Sequence, residues 1–195
     1  MLSELRDRVN FALDPVARAF ARAGFTPNSL TCIGLIFSLI AGVLFGISQP
    51  RFAGLVLLIC GFFDIIDGAV ARVSGRVTAF GGVLDSVVDR YTEAVIFIGI
   101  IFFLGRGGLP ELGQYGWLWV VLALVGGFMV SYIRARAEAA GSGKLSVGIA
   151  ERAERLLILG VGAMLNLTGY AVVLVVILTY FTAAHRLVVA YIRLR

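Results

Sequence analysis

Charge is scarce in this chain, and histidine, cysteine and proline are scarcer. Of 195 residues, 15% are charged and 59% are hydrophobic, and the mean hydropathy is +0.95. A soluble domain carries charge on about a quarter of its residues. The deficit argues against an ordinary soluble globule, because the apolar excess has to face lipid. The lone histidine, His185, has no second ligand type nearby in sequence, which argues against a histidine-built metal centre. The two cysteines, Cys32 and Cys60, both sit in apolar runs. They read as buried small hydrophobes with no disulfide between them. The first 25 residues lack an apolar core, since seven charged residues are spread through them, so no cleavable signal peptide is expected there. No nucleic-acid partner is expected.

What is present patterns as helices. The length suits one domain over residues 1–195, an all-α integral membrane protein. Residues 1–25 form a juxtamembrane segment. Within it, 3–22 reads as an amphipathic surface helix: Leu5, Val9, Leu13, Val16 and Phe20 recur at three- and four-residue steps, with Arg6, Arg8, Arg18 and Arg22 between them. Pro15 is expected to kink or divide it. Residues 26–195 then form a six-helix bundle. Thr26 and Pro27 are a cap and a first-turn proline. The expected spans are 28–47, 52–73, 81–104, 115–133 with a polar helical end to 138, 149–165 and 170–186. The last two come from dividing 156–184. That uncharged stretch exceeds the roughly 30 Å hydrocarbon core as one helix, and Asn166-Leu167-Thr168-Gly169 supplies a turn.

Intramembrane charge is costly and marks function. Asp64, Asp67, Gly68, Ala71 and Arg72 fall at offsets of 0, 3, 4, 7 and 8, one face of a helix. Gly81, Asp85 and Asp89 fall at 0, 4 and 8 on the next. The short loop 74–79 makes the two helices antiparallel neighbours, so the carboxylates can meet at one end of the bundle. Four converging carboxylates repel unless protons or cations relieve them. Oxygen ligands favour a hard cation, Mg²⁺ or Mn²⁺. Two such ions would clamp a pyrophosphate and stabilise in-line displacement at phosphorus. A proton or sodium pathway through a cation transporter is the reading from another class. Gly68, Ala71 and Gly81 leave room beside the carboxylates for a nucleotide, or serve only tight helix packing.

Together these residues read D-x2-D-G-x2-A-R-x8-G-x3-D-x3-D from Asp64 to Asp89. The pattern resembles that of the CDP-alcohol phosphotransferase family at all eight fixed positions. The resemblance implies a homodimeric, Mg²⁺-dependent transferase that releases CMP from a CDP-activated group. It implies that Asp64, Asp67 and Asp85 hold metal, with two ions expected. Asp89 would complete the cluster, deprotonate the acceptor hydroxyl as the catalytic base, or both. Asp64, Asp67, Gly68, Ala71, Arg72 and Gly81 would form the CDP site.

A second region, 131–138 with 148–155, resembles the branch that makes phosphatidylinositol phosphate or its archaeal ether-lipid counterpart. That branch joins inositol 1-phosphate to a CDP-linked lipid. Arg134, Arg152 and Arg155 crowd this region, where a phosphorylated acceptor needs cations. They also satisfy topology and can pair with Glu138, Glu151 and Glu154. Glycerol 3-phosphate, giving phosphatidylglycerol phosphate, is the main alternative acceptor. Serine needs no such cations, and a soluble CDP-inositol donor is a further possibility.

Orientation follows from the basic residues. With six spans, one side receives every Lys and Arg except Arg51 and Arg106, fifteen of seventeen. The positive-inside rule makes that side cytoplasmic, in a prokaryotic-type cell membrane, with both termini and the active site there. Tags on the two ends should therefore share one protease-accessibility in sealed vesicles. Ends on opposite sides would mean that 156–184 is not a hairpin.

Overall fold

A computed structural model describes residues 13–195, and every regular element among them is helical. Residues 13–22 are helical and are called α1. Then come α2 (Pro27–Gly46), α3 (Pro50–Val73), α4 (Ala79–Gly105), a 3₁₀ turn (Pro110–Leu112), α5 (Gly116–Ala139), α6 (Arg152–Met164) and α7 (Thr168–Leu194). Residues 3–12 of the expected surface helix lie outside the described residues. Its remainder packs inward through Leu13, Ala17, Phe20 and Ala21 onto Leu30 of α2 and Ile66, Ala69 and Val70 of α3. Pro15 lies inside the helical run.

Local chemistry sets the helix starts. At α2 the Ser29 amide donates to Thr26 Oγ1 (3.2 Å) and the Thr26 amide donates to Ser29 Oγ (2.9 Å), with Pro27 in the first turn. This reciprocal box satisfies donors that the helix itself cannot. Thr78 does the same for α4, accepting from the Gly81 amide (3.0 Å). That cap moves the start of α4 back to Ala79. Gly141, Gly143 and Gly148 have φ of +96°, +70° and +116°, and they keep 141–151 out of any helix. The helix expected from 149 therefore begins only at Arg152. At 13 residues α6 is about 20 Å long, less than a hydrocarbon core. Asn166, at φ +57°, makes the expected turn, and α7 then runs on past 186 to Leu194.

Among the described residues, four helices, α2, α3, α5 and α7, are long and apolar enough to cross a membrane. α4 is as long as α7 but carries Asp85, Asp89 and Arg90 in its first half and Glu93 just past its middle. One core joins α2 to α7 through Phe45, Leu57, Ile96, Ile100, Leu159 and Val175. Large apolar side chains are also turned outward, among them Val43 (63% exposed), Phe102 (61%) and Phe181 (61%). A surface of that kind suits lipid. Cys60 is buried as expected and its thiol donates to the Gly34 carbonyl (3.3 Å). Cys32 is not, because it occupies the outward side of α2; both thiols are free.

Small residues bring the backbones together. A Cβ at Gly99 of α4 would overlap the Gly42 carbonyl of α2, and one at Gly54 of α3 would overlap the Gly160 carbonyl of α6. Lipid supplies no hydrophobic drive for helix association, so such close approach carries much of the packing. At the end of the bundle away from the aspartates, the Gly169 amide donates to Glu111 Oε1 (3.0 Å) and Arg51 Nε donates to Asn166 Oδ1 (3.3 Å). Gly99→Ala should force α2 and α4 apart and cost about 1–3 kcal/mol. The melting temperature in detergent reads this, and an unchanged value would mean that the contact does not hold the pair.

Candidate metal and substrate site

The half of α3 after Phe63 and the first turns of α4 face each other across the loop 74–78. Asp64 and Asp67 project from α3 and Asp85 from α4. One carboxylate oxygen of each lies within 4.8 Å of the others. The offsets predict a meeting of four aspartates, and these three make it. α2 contributes a side chain that the sequence reading missed. Thr31 is buried, and its hydroxyl donates to Asp67 Oδ2 (2.6 Å). The bond fixes one oxygen of Asp67 and thereby the direction of the other.

Asp89 stands apart from the trio. Its Oδ1 is 2.5 Å from Arg152 Nη1 and its Oδ2 is 3.5 Å from Arg90 Nη2. The same Arg152 nitrogen bonds Asp64 Oδ1. Arg152, the first residue of α6, thus bridges the carboxylates of α3 and α4. Three acidic groups this close in a weakly screened site repel strongly, so positive charge beside them is required. The buried Asp85 Oδ1 has no hydrogen-bond partner. An oxygen without a donor, in an all-carboxylate set, fits a hard divalent cation.

A cavity of about 1020 Å³ opens beside the cluster. Asp64, Asp67, Gly68, Asp85 and Asp89 line it together with Arg134, Arg152 and Arg155 and the acidic Glu138, Glu151 and Glu154. Ala71, Arg72 and Gly81 are not in that lining. They lie nearer the loop end of the same helices. A Cβ on Gly68 would come 3.6 Å from Arg72 Nη1, and one on Gly81 would come 2.9 Å from Thr78 Oγ1 and 3.4 Å from Asn28 Oδ1. A side chain at Gly81 would therefore press on the Thr78 cap of α4 and on Asn28 of α2.

The three arginines differ in setting. Arg134 Nε donates to Glu138 Oε1 (3.2 Å), and its side chain is 39% exposed. Arg152 belongs to the carboxylate cluster. Arg155 is buried against Glu93 of α4, and its Nη1 donates to the Ala150 carbonyl (2.5 Å). Arg186 of α7 is buried too. It donates to the carbonyls of Val147 (2.7 Å) and Val130 (2.9 Å) and to Glu151 Oε1 (2.9 Å). Glu93 and Arg186 received no role from the sequence. The signal for Glu93 was available, because it follows Asp89 by four residues on the same helix face. Thr31 and Arg186 follow no spacing that links them to the aspartates.

The CDP-alcohol phosphatidyltransferase family model matches residues 25–189. The archaetidylinositol phosphate synthase of Pyrococcus horikoshii is 42% identical over 194 residues, spanning 100% of this chain and 98% of the relative. The phosphatidylinositol phosphate synthase of Mycobacteroides abscessus is 35% identical over 169 residues, spanning 85% and 74%. Among solved structures, the phosphatidylinositol phosphate synthase of Mycobacterium tuberculosis with CDP-DAG bound superposes with a TM-score of 0.78. It has 29% identity, over 91% of this chain and 92% of that one. The same enzyme in complex with manganese and citrate gives a TM-score of 0.79 at 29% identity, over 91% and 88%.

Thr31→Val should weaken divalent-ion affinity by about 10–100-fold, the usual cost of removing an outer-shell partner. Thr31→Ser should keep it. Titration of the purified protein with Mn²⁺ measures both, and equal affinity in the valine variant would leave Thr31 without this role.

Proposed function

The chain belongs to the CDP-alcohol phosphatidyltransferase family, and from that premise we propose that it moves a phosphatidyl-type group from a CDP-linked lipid to inositol 1-phosphate, releasing CMP. The lipid part is diacylglycerol or its archaeal ether counterpart. The observation that carries the reading is the carboxylate trio Asp64, Asp67 and Asp85 sharing one cavity with Arg134, Arg152 and Arg155. The carboxylates suit a metal-bound pyrophosphate and the arginines a second phosphate. The relatives named as inositol phosphate lipid synthases support the acceptor.

In this mechanism Asp64, Asp67 and Asp85 hold Mg²⁺ or Mn²⁺, two ions in all, with Asp89 completing the set. Bound there, the ions neutralise the pyrophosphate and stabilise charge on the departing CMP oxygen. Gly68, Ala71, Arg72 and Gly81 take the CDP moiety, with Asp64 and Asp67 beside it. The acceptor hydroxyl attacks the phosphorus that carries the lipid, the bond from that phosphorus to CMP breaks, and Asp89 takes the hydroxyl proton. Arg134, Arg152 and Arg155 give the acceptor's phosphate a positive wall. Arg152 also lies against Asp89 and Asp64, which couples the two halves of the site.

The membrane arrangement belongs to the same proposal. α2 to α7 make six crossings, with the aspartate end and both termini cytoplasmic, and the chain acts as a homodimer. α4 crosses with its charged half at the cytoplasmic end, and α6 makes a short crossing entered through 141–151.

Purified protein given CDP-lipid, Mg²⁺ and a panel of acceptors should release CMP fastest with inositol 1-phosphate, ahead of glycerol 3-phosphate and serine. Asp64→Asn and Asp85→Asn should abolish release while the folded protein survives. Faster release with glycerol 3-phosphate would reassign the acceptor. Cation flux without CMP release would reassign the class to transport.

A further inference from the structure

Glu93 lies one helical turn beyond Asp89, outside the eight-residue pattern, and is 2% exposed. Its Oε1 accepts from Arg155 Nε (2.8 Å) and from Arg155 Nη2. Its Oε2 is 3.6 Å from Arg90 Nε, and Arg90 in turn pairs with Asp89. With Nη1 on the Ala150 carbonyl, all three nitrogens of the Arg155 guanidinium are engaged. A third helix is shaped around the pair. A Cβ on Gly127 of α5 would come 3.2 Å from Arg155 Nε and 3.5 Å from Glu93 Oε1. A buried ion pair in an apolar bundle gives little net stability for its desolvation cost. Its placement points to a reason other than stability.

That reason is the segment 141–151. Its ends bond helix backbone, the Gly141 and Ser142 amides to carbonyls of α5 and the Glu151 carbonyl to the Arg155 amide, but between them it depends on side chains. Glu138 Oε1 accepts from the Leu145 amide (2.8 Å) and Thr182 Oγ1 from the Ile149 amide (3.3 Å). Arg186 and Arg155 hold the Val147 and Ala150 carbonyls. Two residues after Ala150 comes Arg152, which reaches Asp64 and Asp89. We propose that Glu93 is a positioning residue for the acceptor end of the cavity. It locks Arg155 onto the Ala150 carbonyl and so sets the stretch that carries Arg152 to the carboxylates. The acceptor here is the phosphorylated alcohol of the function proposed above. In this arrangement Arg155 lends positive potential but works through the backbone, not by gripping the phosphate.

The sign of one kinetic change decides between these roles. If Arg155 grips the acceptor's phosphate, Glu93 competes with the substrate for it. Glu93→Gln would then free the guanidinium and leave the acceptor KM unchanged or lower. If Glu93 positions the segment, Glu93→Gln should raise that KM about tenfold or more, the scale of a lost charge-assisted contact. The CDP-lipid KM should move by less than about threefold, because Glu93 touches Arg155 and Arg90 and none of Asp64, Asp67 and Asp85. Arg155→Gln should give the same split, and the double variant should be no worse than either alone, since both act on one unit. The measurement uses full-length purified protein and whichever acceptor of the panel releases CMP fastest. The choice of acceptor thus tests the function, and the KM split tests Glu93. Gly127→Ala keeps both charges and presses on the pair from α5. It should raise the acceptor KM in the same direction, and it decides the matter if Glu93→Gln does not fold. An acceptor KM that is unchanged or lowered, or one that rises together with the donor KM, would overturn the proposal.

Discussion

The structure depends on the cost of placing several carboxylates together where water is scarce. Asp64, Asp67 and Asp85 bring oxygens within 4.8 Å of one another. Repulsion at that distance is far larger in a weakly polar bundle than in water. Everything around the trio supplies compensation. Arg152 leans in from α6 to Asp64 and Asp89, Arg90 sits beside Asp89, and Thr31 gives Asp67 a hydrogen bond. The remaining demand, concentrated on the unpartnered Asp85 Oδ1, is the affinity that a divalent cation meets.

The bundle is arranged to let that compensation reach its target. α2 lies against α4 through Gly42 and Gly99, and α3 against α6 through Gly54 and Gly160. The same helices carry Thr31 and Arg152, the two side chains that reach the aspartates from outside α3 and α4. The lipid-facing residues carry no such precision and need only be apolar.

The non-helical segment 141–151 raises a second problem, that of unpaired backbone groups near the membrane. Its glycines at positive φ prevent a helix, so its amides and carbonyls need partners from elsewhere. Glu138, Thr182, Arg155 and Arg186 provide them. Two buried guanidinium groups thus do structural work close to a site that also needs positive charge. Their number in the sequence does not distinguish the two uses.

The sequence by itself determined the helical, membrane-bound character, the helix order, and the identity of the carboxylate helices. Those properties rest on local rules: apolar content, turn residues, and the three- and four-residue spacing that puts Asp64, Asp67 and Asp85 on facing surfaces. It also located the Thr26-Pro27 start and the turn at Asn166. Tertiary structure decided the rest. It shortened α6 to 13 residues and extended α7 to Leu194. It turned Cys32 outward, and it separated Arg134, Arg152 and Arg155 into three different settings. It brought in Thr31 and Glu93, whose partners are 36 and 62 residues away. Periodicity describes one helix at a time. Which buried cation meets which carboxylate depends on how closely the helices cross, and that is fixed by packing between segments distant in the chain.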